Sequence, residues 1–527
     1  MKQLLLSLLF CSTLQAVPGD ASKAPLAGSG KPTPGLQIEQ YADNQQINAP
    51  TALAIDEKGR VFAAKSNRFR DRGVDDNRHR RYWLMEDITL QSTEERLAMY
   101  ERWAHKHPME SYTKFAEEIY RFEDSDGDGK ADKRTLYAGG FNDPLDGPGI
   151  GLIARDGELW FTCIPHVWRL SDADDNGEAD SRKSIQAGFG VRVSISGHDL
   201  HGLAWGMDGK LYFSVGDRGY NLHTQEGKHF QSPDSGAVFR CNPDGSNFEL
   251  YYTGLRNPQE LAFDKYGNLF TVDNNADIGD KSRVVYLLEG GESGWYSGHQ
   301  LLTTFKNDID TGTIKNVGTL WLNERWWDRY NPMDINRPAF ILPPVAHLTS
   351  GPSGFCYNPG ESMPARYQDH FFICDYKGSA GSSLIHSFAT EVWGAGFKMV
   401  DAHAFHKGVA YTDVEFGYDG KLYAADYGGG WTFSSRGGVL TLSYPDTLKT
   451  PSVSQTQKLF QQGYEQRNAR ELGELLKHAD LRVRQRAQFA LAKRGDAGAN
   501  VLLTAVSQKE HQLARLHGIW GLGQLGE

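Results

Sequence analysis

A pair of short strands joined by a glycine-bearing turn recurs along most of this chain, and nothing else in the sequence restricts the fold as strongly. The unit occupies residues 52–64, 151–162, 202–214, 261–272 and 414–425, with a degenerate copy over 354–376. Each copy has an apolar first segment, glycine in the second half of the turn, and a second segment rich in β-branched and aromatic residues, which is the pattern of a half-buried hairpin. Six copies of one antiparallel unit within about 400 residues predict a radial repeat, because such repeats hide their sheet edges by closing into a ring. The predicted fold is mainly β, a six-bladed β-propeller over residues 36–447.

Two intervals between copies are long. The first, near 85–118, carries Ser92, Thr93, Glu94 and Glu95, which predict a capping box, with Leu97, Tyr100 and Trp103 following at helical spacing. The second, near 300–345, holds the tryptophan-rich run 320–330. From residue 454 the periodicity becomes helical, and residues 471–496 and 501–526 align as successive helix pairs. They resemble HEAT repeats, including the Val483-Arg484 pair, so the tail over 454–527 is expected to be an incomplete α-helical solenoid of HEAT type and the chain to be the front part of a longer protein.

The first 16 residues, with Lys2, an apolar run over 4–10 and Leu14-Gln15-Ala16, predict a secretory signal peptide followed by a flexible lead over 17–35. The expected location is exported, periplasmic or extracellular, with no later run long enough to span a membrane. Four cysteines remain beyond that segment, Cys163, Cys241, Cys356 and Cys374. They permit two disulfides, Cys356 with Cys374 first among them, or four buried thiols. A net charge of −10 with the acids in clusters excludes a nucleic-acid partner, which needs a basic stripe, and suits a hard cation.

Two loops spell D-x-D-x-[D/N]-G-x-x-D: Asp124, Asp126, Asp128 and Asp132, then Asp172, Asp174, Asn176 and Asp180. Oxygen ligands at that spacing, with glycine at the sharp turn, are what Ca2+ requires. The flanks read as strands, so the loops are expected to be calcium-braced hairpins with a structural role.

The candidate active stretch is 197–220, GHDLHGLAWGMDGKLYFSVGDRGY, in which His198 and His201 precede a hairpin and Asp217 and Arg218 follow it. With residues 254–295, which contain Arg256, Asn257, Pro258 and Gln259 and an acidic run from Asp277 to Asp280, it resembles the soluble quinoprotein glucose dehydrogenase and sorbosone dehydrogenase family. Those are six-bladed propellers that oxidise sugars with pyrroloquinoline quinone and calcium. The resemblance implies His198, with His201 as its competitor, as base; Arg256 as the residue stabilising charge on the quinone; Arg256, Asn257, Gln259, Asp217 and Arg218 as cofactor contacts; and Asp277 and Asp280 as ligands of a catalytic calcium. The family's histidine before Arg256 is Leu255 here, and its glycine after Gln259 is Glu260.

The whole layout also resembles the PVC-type membrane-bound dehydrogenase family, in which such a propeller precedes HEAT repeats and a c-type cytochrome. No CxxCH occurs here, so the resemblance implies a haem acceptor lying elsewhere. The implied activity is oxidation of a carbohydrate or related alcohol. Two other readings fit a propeller: a calcium-dependent lactonase-like hydrolase built on Asn257, Asn274 and Asp277, and a non-catalytic carbohydrate-binding scaffold.

Overall fold

The computed structural model describes residues 33–70, 72–275, 281–297, 300 and 342–526. Six antiparallel sheets stand around one axis. Their innermost strands, Pro50–Ile55, Gly151–Arg155, Leu200–Trp205, Pro258–Phe263, Pro352–Tyr357 and Tyr411–Phe416, open blades 1 to 6 in chain order. Each inner strand packs against the next, and the sixth returns to the first. The ring is closed by the N-terminal strand Gln37–Ala42, which pairs antiparallel with Gly438–Ser443 as the outer strand of blade 6. That pairing leaves no open edge at the point where the repeat begins and ends.

The hairpin turns divide into two kinds. In blade 2 the turn is the two-residue Asp156-Gly157, both at positive φ. In blade 3 only Gly209 is left-handed (φ 81°), and Gly209 N–H donates to Gly206 O at 3.1 Å while Gly206 N–H donates to Lys210 O at 2.9 Å. This is a type I turn closed by a left-handed glycine, and the same pair of bonds recurs at Asp56, Asp264 and Gly417. Asp208 contributes through its side chain, accepting from Lys210 N at 3.1 Å and from the Tyr212 hydroxyl at 2.7 Å.

The helical insertion joins the second and third strands of blade 1. Ser92 caps the helix Thr93–Arg102 by accepting from Glu95 N–H at 3.3 Å, and Tyr100 stacks on Tyr112 with ring centroids 4.5 Å apart. The second insertion lies between the third and fourth strands of blade 4, Arg283–Leu287 and Ala346–His347. The run 320–330 is outside the described residues.

Beyond the propeller the chain is α-helical from Pro445 to Gly526. These helices satisfy the carbonyls of the hairpin turns beneath them. Gln485 Nε2 donates to Trp205 O and Gly206 O at 3.0 and 3.1 Å, Gln488 Nε2 to Met207 O at 2.6 Å, and Arg482 to Phe416 O at 2.6 Å. Arg486 bonds Glu57 at 3.0 Å and also meets Asp156. The helical part thus closes one end of the propeller axis. No helix among the described residues is long and apolar enough to cross a membrane.

The expected Cys356–Cys374 disulfide is not formed, and all four cysteines are buried thiols. Cys356 lies opposite Phe372, so Cys374 is displaced by two residues along the neighbouring strand. Diagonal neighbours in a sheet stand about 7–8 Å apart, beyond the reach of a disulfide.

Candidate functional site

The blade ends opposite the helical cap carry the connections from each outer strand to the next inner strand, and both histidines sit there. The segment leading into blade 3 is held from above by the insertion: Asp87 accepts from Val193 N at 2.6 Å and Ser194 N at 3.1 Å, and Asp76 from Ser196 Oγ at 3.0 Å. His198 is then fixed by a carboxylate, with Nδ1 2.7 Å from Asp217 Oδ1. Asp217 also accepts from Ser194 Oγ at 3.2 Å and from Trp295 Nε1 at 2.8 Å, and its own N–H donates to Arg256 O at 2.7 Å. Burial acts to raise the Asp217 pKa, but His198, Arg256 and these donors outweigh it and hold the carboxyl below its ordinary value. An ionised carboxylate only accepts, so His198 carries a proton on Nδ1, and in the neutral imidazole Nε2 is the lone pair.

His201 is held differently. Asn257 Nδ2 donates to Gly197 O at 3.0 Å, which turns its Oδ1 toward His201 Nε2 at 2.8 Å. The amide oxygen must accept, so Nε2 bears the proton, and Nδ1 is a buried acceptor with no hydrogen-bond partner among the described residues. Burial pushes this imidazole down to about 4, which keeps it neutral. The arrangement depends on Gly216: a Cβ there would lie 2.7 Å from His198 O and 2.8 Å from Asn257 Oδ1.

Arg256 is fully buried, with Nε donating to Gln300 Oε1 at 2.7 Å and its guanidinium 5.7 Å from the Trp295 ring centroid. Its backbone N–H and that of Asn257 donate to Asp273 at 3.0 and 2.7 Å, and Arg283 pairs with the same carboxylate. Arg218 is turned away from the histidines. Its guanidinium bonds Asp199 at 2.7 Å and Arg192 O at 2.9 Å within the protein, which makes it a structural ion pair and not a cofactor contact. Asp217 likewise serves His198.

A cavity of about 130 Å3 opens beside this network, lined by His201, Gln259, Glu260, Thr412, Tyr376 and Trp431 among others. Gln259 and His201 therefore border one space. Asp277 and Asp280 lie outside the described residues. For the hydrolase reading, Asn257 is engaged as described, and Asn274 Oδ1 accepts from Asn275 N at 2.8 Å and Ser282 Oγ at 3.3 Å.

The two acidic loops join third and fourth strands of blades 1 and 2 at the helical end, the end of the blades opposite to the histidines. Asp124, Asp126 and Asp128 bring carboxylate oxygens within 4.8 Å of one another, as do Asp172, Asp174 and Asp180. Asp132 instead bonds Ser125 Oγ at 2.6 Å, and Asn176 Nδ2 donates to Asp174 at 3.1 Å. In the second loop Arg121 already supplies positive charge to Asp172 at 2.9 Å. Sequence reading missed Ser194, Asp273, Trp295 and Gln300. Trp295 ends a Gly-x-x-Gly-Trp turn, which was its visible signal.

Residues 31–428, about three quarters of the chain, match a family described as a domain of unknown function, DUF7133. The chain belongs to the DUF7133 family. Among curated proteins, this DUF7133 chain is similar to quinoprotein glucose dehydrogenase B of Acinetobacter calcoaceticus, 30% identical over 124 residues. That match covers 19% of this chain and only 26% of the relative's length. Among solved structures, a glucose dehydrogenase-type oxidoreductase of Thermus thermophilus aligns at 17% identity, TM-score 0.46, over 77% of this chain and 100% of that one. The aldose sugar dehydrogenase of Streptomyces coelicolor, in its PQQ-bound form, aligns at 16% identity, TM-score 0.45, over 78% and 99%.

Proposed function

We propose that this protein is a quinoprotein-type dehydrogenase that oxidises a sugar or related alcohol with pyrroloquinoline quinone. The observation that carries the reading is the buried His198–Asp217 pair, a base with its orienting carboxylate, in a segment whose neighbouring residues Gly197 and His201 line an aromatic-walled cavity. The similarity to quinoprotein glucose dehydrogenase B supports it.

The residues present suit a flat, anionic, carbonyl-rich cofactor. Phe69, Tyr376, Tyr427 and Trp431 supply planar walls, His201 and Gln259 border the same space, and the Arg70 guanidinium stands 5.9 Å from the Trp431 ring. Arg256, Asn257 and Gln259 would hold the cofactor's polar edge. When bound, the quinone supplies a two-electron acceptor for hydride from the alcohol carbon. His198 Nε2 takes the hydroxyl proton, and Asp217 stabilises the imidazolium that results while keeping the ring in the correct tautomer. His201, neutral and pushed down to about 4 by burial, is a hydrogen-bond acceptor and a poor base. The buried Arg256 guanidinium would supply fixed positive charge that stabilises negative charge developing on the acceptor.

The wider reading places the protein outside the cytoplasm, with a c-type cytochrome as electron acceptor, calcium at the acidic loops, and HEAT-type helices of the PVC-type dehydrogenase layout at the C-terminal end. The hydrogen bonding of Asn257 and Asn274 disfavours the lactonase reading. The test is titration of pyrroloquinoline quinone with Ca2+ into the purified protein, followed by dye reduction with an aldose panel. Saturable perturbation of the quinone spectrum and aldose-dependent turnover, lost by about 10²-fold or more in His198→Ala, are expected. A silent titration would refute the reading.

A further inference from the structure

The axis of the propeller carries an acidic cluster that the proposed chemistry does not use. Glu260, on the inner strand of blade 4, and Asp413, on the inner strand of blade 6, converge across the axis on the same Gly354-Phe355 backbone, close enough for their carboxyls to share a hydrogen bond. Two carboxyl groups can share that bond only if one keeps a proton. Their remaining oxygens are occupied by backbone: Glu260 Oε2 accepts from Phe355 N at 3.2 Å, and Asp413 accepts from Leu53 N at 2.5 Å and Val414 N at 2.6 Å. Close approach is allowed by two glycines, since a Cβ on Gly354 would lie 2.5 Å from Asp413 Oδ1 and one on Gly202 would lie 2.4 Å from Glu260 Cα. At the position of Glu260 the quinoprotein pattern has glycine.

Position gives the pair its meaning. Glu260 borders the cavity that holds His201 and Gln259, and it also borders a second cavity of about 190 Å3 between the propeller floor and the C-terminal helices. Glu415 lies two residues beyond Asp413 on the same strand face and borders only that second cavity. Burial raises the pKa of Glu260 well above its ordinary value, and it pushes Asp413 and Glu415 up to about 7. The other groups facing them are Arg482, which acts on Glu415, and the Cys356 and Cys374 thiols, which burial holds well above their ordinary value.

We propose that Glu260 and Asp413, with Glu415 below them, form a proton relay that connects the site cavity to the cavity under the C-terminal helices. A proton arriving on Glu260 Oε2, which keeps a second lone pair beside the one that Phe355 N–H occupies, lets the shared O–H proton pass to Asp413, and Glu415 carries the charge on to the lower cavity. Only O–H bonds break and form; the electrons stay with the acceptor named above. The relay rests on the dehydrogenase reading for its supply of protons, one from each alcohol hydroxyl oxidised.

The test begins without quinone. In infrared spectra at pH 7 the protein should show the carbonyl stretch of a protonated carboxyl that shifts in D2O, lost in Glu260→Gln and displaced in Asp413→Asn, which keeps the side-chain shape should Glu260→Gln fail to fold. Exchange of that band into D2O should slow at least tenfold in Glu415→Gln, which leaves the pair intact. In quinone-loaded protein, Glu415→Gln should raise the solvent isotope effect on turnover with quinone binding unchanged. A protonated-carboxyl band that neither pair substitution changes relative to wild type, or an exchange rate indifferent to Glu415→Gln, overturns the relay. Absence of any aldose turnover in the wild type would sink the dehydrogenase reading instead, while the band and its exchange still decide whether the pair holds a proton in contact with the lower cavity.

Discussion

Asp217→Asn exchanges one buried oxygen for an NH2 group and leaves the volume unchanged, so its consequences follow from hydrogen-bond polarity alone. The carboxylate now accepts from Trp295 Nε1 at 2.8 Å, Ser194 Oγ at 3.2 Å and His198 Nδ1 at 2.7 Å. In the variant, Trp295 is still a donor and claims the amide oxygen, which turns Nδ2–H toward His198 Nδ1. Two donors cannot face each other, so the neutral imidazole must move its proton to Nε2, and the lone pair that takes the substrate proton disappears. Loss of a charge-assisted buried bond costs about 1.5–3 kcal/mol. With an unfolding entropy of roughly 2.1 cal/mol/K per residue over about 400 residues, that is a fall of about 2–4 °C in melting temperature. The rate effect is larger, on the order of 10²–10⁴-fold in kcat, as expected when a carboxylate–histidine pair is locked in the wrong tautomer. Nitrogen-15 NMR of labelled histidine reads the tautomer directly, calorimetry reads the stability, and dye reduction reads the rate. An unchanged His198 tautomer in the variant, or wild-type turnover with the tautomer inverted, would refute the reasoning.

Three further outcomes are expected. Folded-state pKa values of about 7 for Asp413 and Glu415 exceed the unfolded carboxylate value of about 4, so the folded protein holds extra protons between those pH values. Stability from these groups is full below about pH 4, is lost as pH rises toward 7 at up to about 1.4 kcal/mol per pH unit per proton, and is flat above; Glu415→Gln should reduce the slope of melting temperature against pH relative to wild type. Gln488→Ala removes the donor to Met207 O, strands a buried carbonyl and should cost about 1–3 kcal/mol, seen as faster proteolytic release of the helical end. If the loop of Asp124, Asp126 and Asp128 binds calcium, chelation should lower the melting temperature and millimolar Ca2+ should restore it, with saturation at 100 times Kd worth about 2.7 kcal/mol; no response would mark the loop as a solvated turn.

Much of the architecture was legible because a blade is a local object. The hairpins over 52–64, 151–162 and 202–214 each contain their own turn, and their apolar alternation marks the buried strands. The chemistry of the turns was less visible: Asp208 has the composition of a two-residue turn, yet it acts as a side-chain acceptor while Gly209 alone takes the left-handed conformation. The disulfide expectation failed for a related reason, because strand register, which places Cys356 opposite Phe372, is not encoded in the count of cysteines. At the site, His198, His201, Asn257 and Arg256 were nominated from the chain. Their division of labour was not, since the partner of His198 lies 19 residues away and that of His201 lies 56 away.

By itself the sequence determined the repeat, the helical end and the pool of polar residues near the start of blades 3 and 4, all of which are properties of short segments. Only the tertiary structure decided that Asp217 faces His198 while Arg218 turns to Asp199, although the two are neighbours in the chain. It also decided that Glu260 and Asp413, 153 residues apart, share the axis between two cavities. The physical reason is ring closure. A propeller brings every inner strand to one line, so side chains from distant blades become neighbours in a low-dielectric channel, and their charge states are set by one another and not by the residues beside them in sequence.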